Sequence, residues 1–391
     1  MIFGKGITSL EGMLSLTAHY HKVFMKDLKS KEHYMLRALE LAQSAAGRTS
    51  PNPLVGAVIV RNGKVVGEGH HKKAGLPHAE IEALAKAGKQ ARGARMYVNL
   101  EPCCHFGLTP PCTDAIIESG IKEVVVGMRD PNKLVGGKGI RILRKAGIKV
   151  EVGVLQAECA LMNEVFVKYV RTGLPFVVWK TAISLDGKIA TASGKSRWIT
   201  GPKARQCVHA LRDTVDAILV GAGTVVKDDP LLTTRLKNKK GKNPARVILD
   251  NKCRVSLDAR VFWNSETQKV IYVTGGNVPA DREKQLRIMG VDLWVVEENE
   301  DGLDLTQVMR KLGDQGLTSV LIEGGGEVNA SALKSRIVDK VMFFVAPIII
   351  GGRNTPGAVA GKGIENLDEA LKVKKLTVRQ IGPDFLLEGY L

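Results

Sequence analysis

Residue types that bind transition metals cluster in the first third of the chain. His78 is followed two positions later by Glu80, and Cys103 and Cys112 come next, each directly after a proline. A catalytic zinc ion takes three protein ligands and leaves one position open for water. His78, Cys103 and Cys112 are predicted to supply one nitrogen and two thiolates. Glu80 is predicted to reach the water without binding the metal.

The predicted local structure supports this interpretation. His78 opens a predicted helix over 78–88, and Cys112 directly precedes one over 113–120. A helix N-terminus stabilises a thiolate or a bound anion. Zinc lowers the pKa of water to about 7, which supplies a nucleophile at neutral pH. Attack on an amino-bearing ring carbon, with Glu80 moving the proton, would release ammonia, as in zinc-dependent nucleobase deaminases.

The spacing of the two cysteines leaves other interpretations open. Deaminase motifs usually end in P-C-x-x-C, whereas here Phe106 stands three residues after Cys103 and the segment CHFGLTPP separates the thiols. One alternative is a structural zinc site, which takes four protein ligands, with Cys104 or His105 as the fourth. This alternative gives no role to Glu80. Adjacent core cysteines without a metal are a third interpretation.

Composition limits the class of protein. The chain has 391 residues, 44% of them hydrophobic, which is enough for two domains with cores. No apolar run approaches the roughly 20 residues of a membrane helix, and the N-terminus lacks a signal-peptide pattern, so we expect a cytoplasmic protein. The net charge of +17 is spread along the chain. A surface of this kind suits RNA or phosphorylated small molecules, or is simply solvated.

Predicted elements alternate throughout the chain. A first helix over 31–46 is followed by the order ββαβαβαβ, which is typical of a three-layer α/β domain with helices on both faces. A strand over 175–184 restarts the alternation, AILVGAGTV (217–225) is predicted as one strand, and the last strands have antiparallel character. The chain is therefore predicted to comprise a poorly ordered extension without chemistry over 1–30, a first domain over 31–173 and a second over 174–391.

One glycine cluster in the second half has a chemical interpretation. Glu323 and Gly324–Gly326 end a predicted strand and precede a helix. Glycines there let a backbone approach a phosphate, and the helix N-terminus favours the anion. The pattern is not G-x-G-x-x-G and lacks the acidic residue of a Rossmann unit, so a structural turn is the alternative.

Long motifs give the chain a family resemblance. SPNPLVGAV (50–58), HAE (78–80) and EPCCHFGLTPPC (101–112) resemble the deaminase domain of bacterial RibD/RibG-type riboflavin biosynthesis proteins. The resemblance implies a cytidine-deaminase-like fold and hydrolysis of the 2-amino group of 2,5-diamino-6-(5-phosphoribosylamino)pyrimidin-4(3H)-one. It also implies that Asn52, His71 and His105 contact this substrate.

The second half carries the same resemblance. SLDGKIA (184–190), SRWIT (196–200), GAGTVVKDDPLLTTR (221–235) and LIEGGGEVNAS (321–331) resemble the family's reductase domain. This implies a dihydrofolate-reductase-like fold and NADPH-dependent reduction of the ribosyl group to ribityl. The implied cofactor residues are Ala182, Trp198, Thr224, Gly325, Gly326, Glu327, Val328, Asn329, Ala330 and Ser331. The implied substrate residues are Ser196, Asp228, Leu232, Arg235 and Glu323. Arg235 also has a physical rationale, because guanidinium binds a phosphate through two hydrogen bonds.

The predicted function is therefore a bifunctional enzyme that uses Zn²⁺ and NADPH. Its partner is a phosphorylated pyrimidine, with no nucleic acid and no membrane, and a homo-oligomer is expected. Two alternatives are an RNA-binding zinc nucleobase deaminase, which the second domain disfavours, and a non-catalytic zinc scaffold. Asp186 and Asp228 are candidate proton donors for the reduction, although an aspartate in a turn usually caps the backbone.

Overall fold

The computed structural model of the protein describes residues 31–391 apart from residues 108, 134, 238–239 and 301. The extension predicted over 1–30 lies outside the described residues. The chain divides into two compact units between Gly173 and Leu174. Across the described residues, no helix combines the length and apolar character that a membrane span requires.

The first unit is a five-stranded sheet between two layers of helices, which confirms the predicted α/β class. The strand order is β2-β1-β3-β4-β5; β1 is antiparallel to both its neighbours, and β3, β4 and β5 are parallel. The strands are β1 (Gly56–Arg61), β2 (Lys64–His70), β3 (Arg95–Leu100), β4 (Glu123–Met128) and β5 (Lys149–Val152). The helices are α1 (Lys31–Gln43), α2 (Ala79–Ala87), α3 (Cys112–Glu118), α4 (Lys138–Lys145), α5 (Gln156–Met162) and α6 (Glu164–Thr172).

Two glycines let α1 and α2 pack closely on opposite faces of the sheet. A Cβ on Gly56 would lie 2.0 Å from the carbonyl oxygen of Ala38 in α1. A Cβ on Gly69 would lie 2.3 Å from the carbonyl oxygen of Ala79 in α2. Gly69 pairs with Ala57, the neighbour of Gly56, so the two glycines face opposite sides. The first turn of α2, which carries Glu80, is thereby fixed against β2.

The second unit is built on one nine-stranded sheet. Its order is β10-β9-β8-β7-β13-β6-β14-β16-β15, parallel from β10 to β14 and antiparallel in the last pairs. The strands are β6 (Phe176–Ser184), β7 (Ala217–Gly221), β8 (Ala245–Leu249), β9 (Val270–Thr274), β10 (Asp292–Val295), β13 (Ser319–Ile322), β14 (Lys340–Ala346), β15 (Lys374–Ile381) and β16 (Asp384–Tyr390), with a small separate pair, β11 (Glu298–Asn299) and β12 (Gly302–Leu303). The helices are α7 (Pro202–Thr214), α8 (Ala222–Asp228), α9 (Ala280–Ile288), α10 (Leu305–Asp314) and α11 (Gly326–Lys334).

The prediction of one strand over 217–225 is wrong at its end. Strand β7 stops at Gly221, and α8 begins at Ala222. Ala222 and Val225 are both buried and three residues apart, which is the spacing of one helix face. In so short an apolar run, this pattern could not be told from a strand.

Candidate active sites

Three elements of the first unit bring the predicted metal ligands together. His78 directly precedes α2, Cys103 follows β3, and Cys112 is the first residue of α3. His78 Nδ1 lies 3.3 Å from Cys112 Sγ and 3.5 Å from Cys103 Sγ, and the three ligand atoms lie within 4.8 Å of one another. Zinc bonds of about 2.05 Å to nitrogen and 2.3 Å to sulfur, at a tetrahedral angle, separate the two atoms by about 3.6 Å. The donor set and its spacing suit Zn²⁺.

The electrostatics of the two thiols favour a cation. The backbone N–H of Cys112 donates to Cys103 Sγ at 3.3 Å. A hydrogen bond from the Cys112 thiol, together with His78, holds the pKa of Cys103 well below its usual range. Cys103 and burial in turn raise the pKa of Cys112. A thiolate held beside a second thiol and an imidazole forms a soft donor set for a transition metal.

Glu80 lies in the first turn of α2 and is 3% exposed. Burial, followed by the negative charge of Cys103, raises the pKa of Glu80 to about 7. A general acid–base group is most effective when its pKa lies near the working pH. This carboxyl group therefore suits a proton shuttle beside the metal ligands.

The predicted substrate residues Asn52 and His71 also lie beside the metal ligands, whereas His105 is exposed. Asn52 Nδ2 lies 3.0 Å from His71 Nε2, and His71 Nδ1 lies 3.2 Å from the Pro77 carbonyl oxygen. This fixes the ring with Nδ1–H donating to Pro77 and Nε2 accepting from Asn52. The His71 ring lies 5.2 Å from that of His78, and burial lowers its pKa.

A basic cluster surrounds Arg235 in the second unit. Arg235 donates to the Thr233 hydroxyl at 2.8 Å, and its backbone N–H donates to His209 Nδ1 at 3.3 Å. Burial, Arg212 and Arg260 together lower the pKa of Arg235. Burial, Arg212 and Arg235 lower the pKa of His209 to about 4. Cations that repel one another in this way form a site for an anion.

Glu323 is the centre of a buried ion-pair cluster that the sequence did not predict. Arg212 donates to both carboxylate oxygens, at 2.7 and 2.9 Å, and Lys180 Nζ lies 3.2 Å away. Burial opposes ionisation, yet Arg212 and Lys180 hold the pKa of Glu323 well below its usual range. The available signal for Lys180 was a single charged residue inside the largely apolar strand FVVWKTAIS.

The three glycines of the cluster, Gly324 to Gly326, have different surroundings. A Cβ on Gly324 would lie 2.7 Å from Val328 Cβ, and one on Gly326 would lie 3.0 Å from Ala360 Cβ, so these two glycines serve packing. A Cβ on Gly325 would meet only Thr224 Oγ1, at 3.7 Å. Gly325 and Thr224 therefore face each other across a gap, next to the N-terminus of α11.

The remaining predicted reductase residues have mixed surroundings. Asn329 is fully buried and donates to the Ala358 carbonyl oxygen at 2.7 Å. The side chain of Trp198 is exposed, with the Arg205 guanidinium 4.5 Å from its ring centre. Ser196 donates to Asp228 at 3.0 Å. For the other predicted reductase residues, the contacts in the structure do not decide a role. These residues are Ala182 in β6, the buried Leu232, and Glu327, Val328, Ala330 and Ser331 in α11.

Two family models match the chain. The cytidine and deoxycytidylate deaminase zinc-binding region matches residues 28–128, and the RibD C-terminal domain matches residues 175–387. The riboflavin biosynthesis protein RibD of Actinobacillus pleuropneumoniae is 43% identical over 357 residues, covering 91% of this chain and 94% of that protein. RibD of Escherichia coli (strain K12) is 39% identical over 373 residues, covering 91% and 98%.

Solved structures show the same similarity. Acinetobacter baumannii RibD superposes with a TM-score of 0.83 at 39% identity, covering 93% of this chain and 99% of that one. A diaminohydroxyphosphoribosylaminopyrimidine deaminase/5-amino-6-(5-phosphoribosylamino)uracil reductase from Thermotoga maritima superposes with a TM-score of 0.81 at 41% identity, covering 92% and 98%.

Proposed function

The chain belongs to the RibD family and is a bifunctional deaminase and reductase of riboflavin biosynthesis; from this premise we propose its substrates and the residues that act on them. The deaminase, over 31–173, converts 2,5-diamino-6-(5-phosphoribosylamino)pyrimidin-4(3H)-one to 5-amino-6-(5-phosphoribosylamino)uracil. The reductase, over 174–391, reduces the ribosyl group of that product to ribityl. The observation that carries the proposal is that Glu80 is buried and hydrogen-bonded to Cys112, next to the His/Cys/Cys donor set.

In the deaminase site, His78, Cys103 and Cys112 would hold Zn²⁺. When bound, the ion supplies the Lewis acidity that makes water a nucleophile at neutral pH. Glu80 takes a proton from the water as the water oxygen bonds to the ring carbon, and delivers it to the departing amino group. The carbon–nitrogen bond breaks and ammonia leaves, and the second proton of the water moves to the ring nitrogen as the carbonyl forms. Asn52 and His71 hold the pyrimidine against the metal ligands, and His105 contributes from the exposed side.

In the reductase site, Arg235 binds the substrate phosphate with the help of the surrounding positive charge. NADPH supplies the hydride when bound, and Thr224 and the N-terminus of α11 contact it. Glu323 orients the sugar, and Lys180 donates the proton that the ring oxygen O4′ takes up when hydride reaches C1′ and the C1′–O4′ bond breaks. Lys180 replaces the two aspartates as the candidate because both carboxylates act as hydrogen-bond acceptors. Asp186 accepts from Ser184 and from two backbone N–H groups, which lowers its pKa to about 2, and Asp228 accepts from Ser196.

The test is an assay of the purified, zinc-loaded protein for ammonia release, and for NADPH oxidation when the deaminated intermediate is supplied. Glu80→Gln is expected to retain zinc and reductase activity but to lose at least 100-fold in deamination, because the amide cannot carry the proton. Glu82→Gln is the matched control, since Glu82 lies in the same helical turn and pairs with Lys72 at 3.1 Å. Deamination by Glu80→Gln at the rate of the control would contradict the role of Glu80.

The chain is also proposed to be a cytoplasmic homo-oligomer. None of the six cysteines, all of which lie in the described residues, forms a disulfide bond, which supports a reducing compartment. Val373, Leu376, Val378 and Phe385 are exposed on one side of the β15–β16 hairpin, and an apolar patch of this kind marks an interface. Because most soluble oligomers are assemblies of identical chains, a second copy is the proposed partner. Light scattering that gives the 42.3 kDa mass of one chain at micromolar concentration would overturn this assignment.

A further inference from the structure

Apart from His105, the mechanism above does not use the segment between the two cysteines, residues 104–111. Its backbone turns at Gly107, whose N–H donates to the Thr109 carbonyl oxygen at 3.2 Å. Pro110 and Pro111 then restrict the chain before Cys112 opens α3. The Thr109 hydroxyl lies 3.3 Å from His78 Nε2.

The two nitrogens of His78 thus face different partners. Nδ1 faces the thiols of Cys103 and Cys112, and Nε2 faces Thr109. A neutral imidazole that binds a metal through Nδ1 carries its proton on Nε2, so the threonine hydroxyl accepts this hydrogen bond. Such a partner fixes the tautomer and the ring orientation of a metal ligand, and its loss typically weakens metal binding or activity by 10- to 100-fold.

We infer that Thr109 is a positioning residue that holds His78 in its metal-binding orientation through Nε2. The inference rests on the proposed zinc site and deepens it. It also explains why nine positions separate the two cysteines, where a P-C-x-x-C motif has three. The additional residues carry a hydroxyl group over the outer edge of the imidazole.

The experiment compares Thr109→Val with Thr109→Ser in the full-length, zinc-loaded protein. Valine keeps the shape of the side chain but cannot accept the bond, whereas serine restores the hydroxyl. Zinc transfer to a chromogenic chelator and the visible spectrum of the Co²⁺-loaded protein are measured for each. Thr172→Val is the matched control, since the Thr172 hydroxyl donates to the Lys168 carbonyl oxygen within α6. Reductase activity, which resides in the other unit, reports on the amount of active protein, and the circular dichroism of the full-length variants is compared with that of the parent to check folding.

Thr109→Val is expected to release zinc at least 10-fold faster and to alter the Co²⁺ spectrum, while Thr109→Ser and Thr172→Val stay within about threefold of the parent. Equal release from Thr109→Val and the parent would overturn the inference and leave the zinc site intact. Zinc release that is accelerated equally in Thr109→Ser and Thr109→Val would also overturn it, because serine keeps the hydroxyl group. A parent protein that binds no zinc, or a His78→Ala variant that binds zinc as well as the parent, would overturn the proposed site together with the inference.

Discussion

Replacing Arg212 by methionine tests the buried cluster around Glu323. Arg212 and Glu323 are 12% and 10% exposed, and the guanidinium donates to both carboxylate oxygens. Removing one partner of a buried ion pair typically costs about 3–5 kcal/mol, because the other charge is left buried. Lys180 remains 3.2 Å from Glu323, so we expect the lower end, about 3 kcal/mol of unfolding free energy.

The sequence provides a selective probe for this measurement. All four tryptophans, Trp179, Trp198, Trp263 and Trp294, lie in the second unit. Tryptophan fluorescence during urea unfolding therefore reports on that unit alone. With a urea dependence of about 2–3 kcal/mol per molar, Arg212→Met should lower the midpoint by about 1–1.5 M.

An exposed ion pair supplies the control for this prediction. Arg287 pairs with Glu283 one turn away in α9, and the two side chains are 73% and 40% exposed. Such pairs contribute about 0.3–0.5 kcal/mol, so Arg287→Met should barely move the midpoint. A midpoint for Arg212→Met that matches the Arg287→Met midpoint would refute the reasoning.

The pH dependence gives the same prediction a second readout. The folded-state pKa of Glu323 lies below its unfolded value. The stabilisation is therefore complete above the unfolded pKa of about 4.3, and it is lost as the pH falls toward the folded value. The difference in unfolding free energy between the parent and Arg212→Met should be constant from pH 8 to 5 and should decrease below about pH 4.3. If this difference stays constant down to pH 3, Arg212 does not act through Glu323.

Two further predictions concern the reductase site. Arg235→Met should raise the KM for the deaminated intermediate by about 10- to 100-fold, because a hydrogen bond to a charged group is worth about 1.5–3 kcal/mol; a KM within twofold of the parent would exclude Arg235 from phosphate binding. Lys180→Met should lower kcat for reduction by about 100-fold or more, with deamination by the same protein unchanged. A kcat within tenfold of the parent value would mean that another group donates the proton.

Much of the fold was predictable because both units follow regular patterns. The Asn62–Gly63 hairpin is an example: both residues have positive φ, 50° and 73°, which is the requirement of the turn that these residue types favour. The end of β7 at Gly221 was not predictable. Whether Ala222–Val225 continues a strand or starts a helix is decided by burial of Ala222 and Val225, which a short apolar run does not encode.

The two sites differ in how much of them a sequence can reveal. The metal ligands, the proton shuttle and Thr109 all lie within 35 residues, on segments whose glycines, prolines and helix starts can be read in order. Glu323, in contrast, meets Arg212 and Lys180 across 111 and 143 residues. Lys180 meets Glu323 because β6 and β13 are parallel neighbours in the sheet, whereas Arg212 reaches Glu323 from helix α7. Both placements are set by packing along the whole second unit. A buried charge can be recognised in a sequence, but its partner only becomes known once the strand order is known.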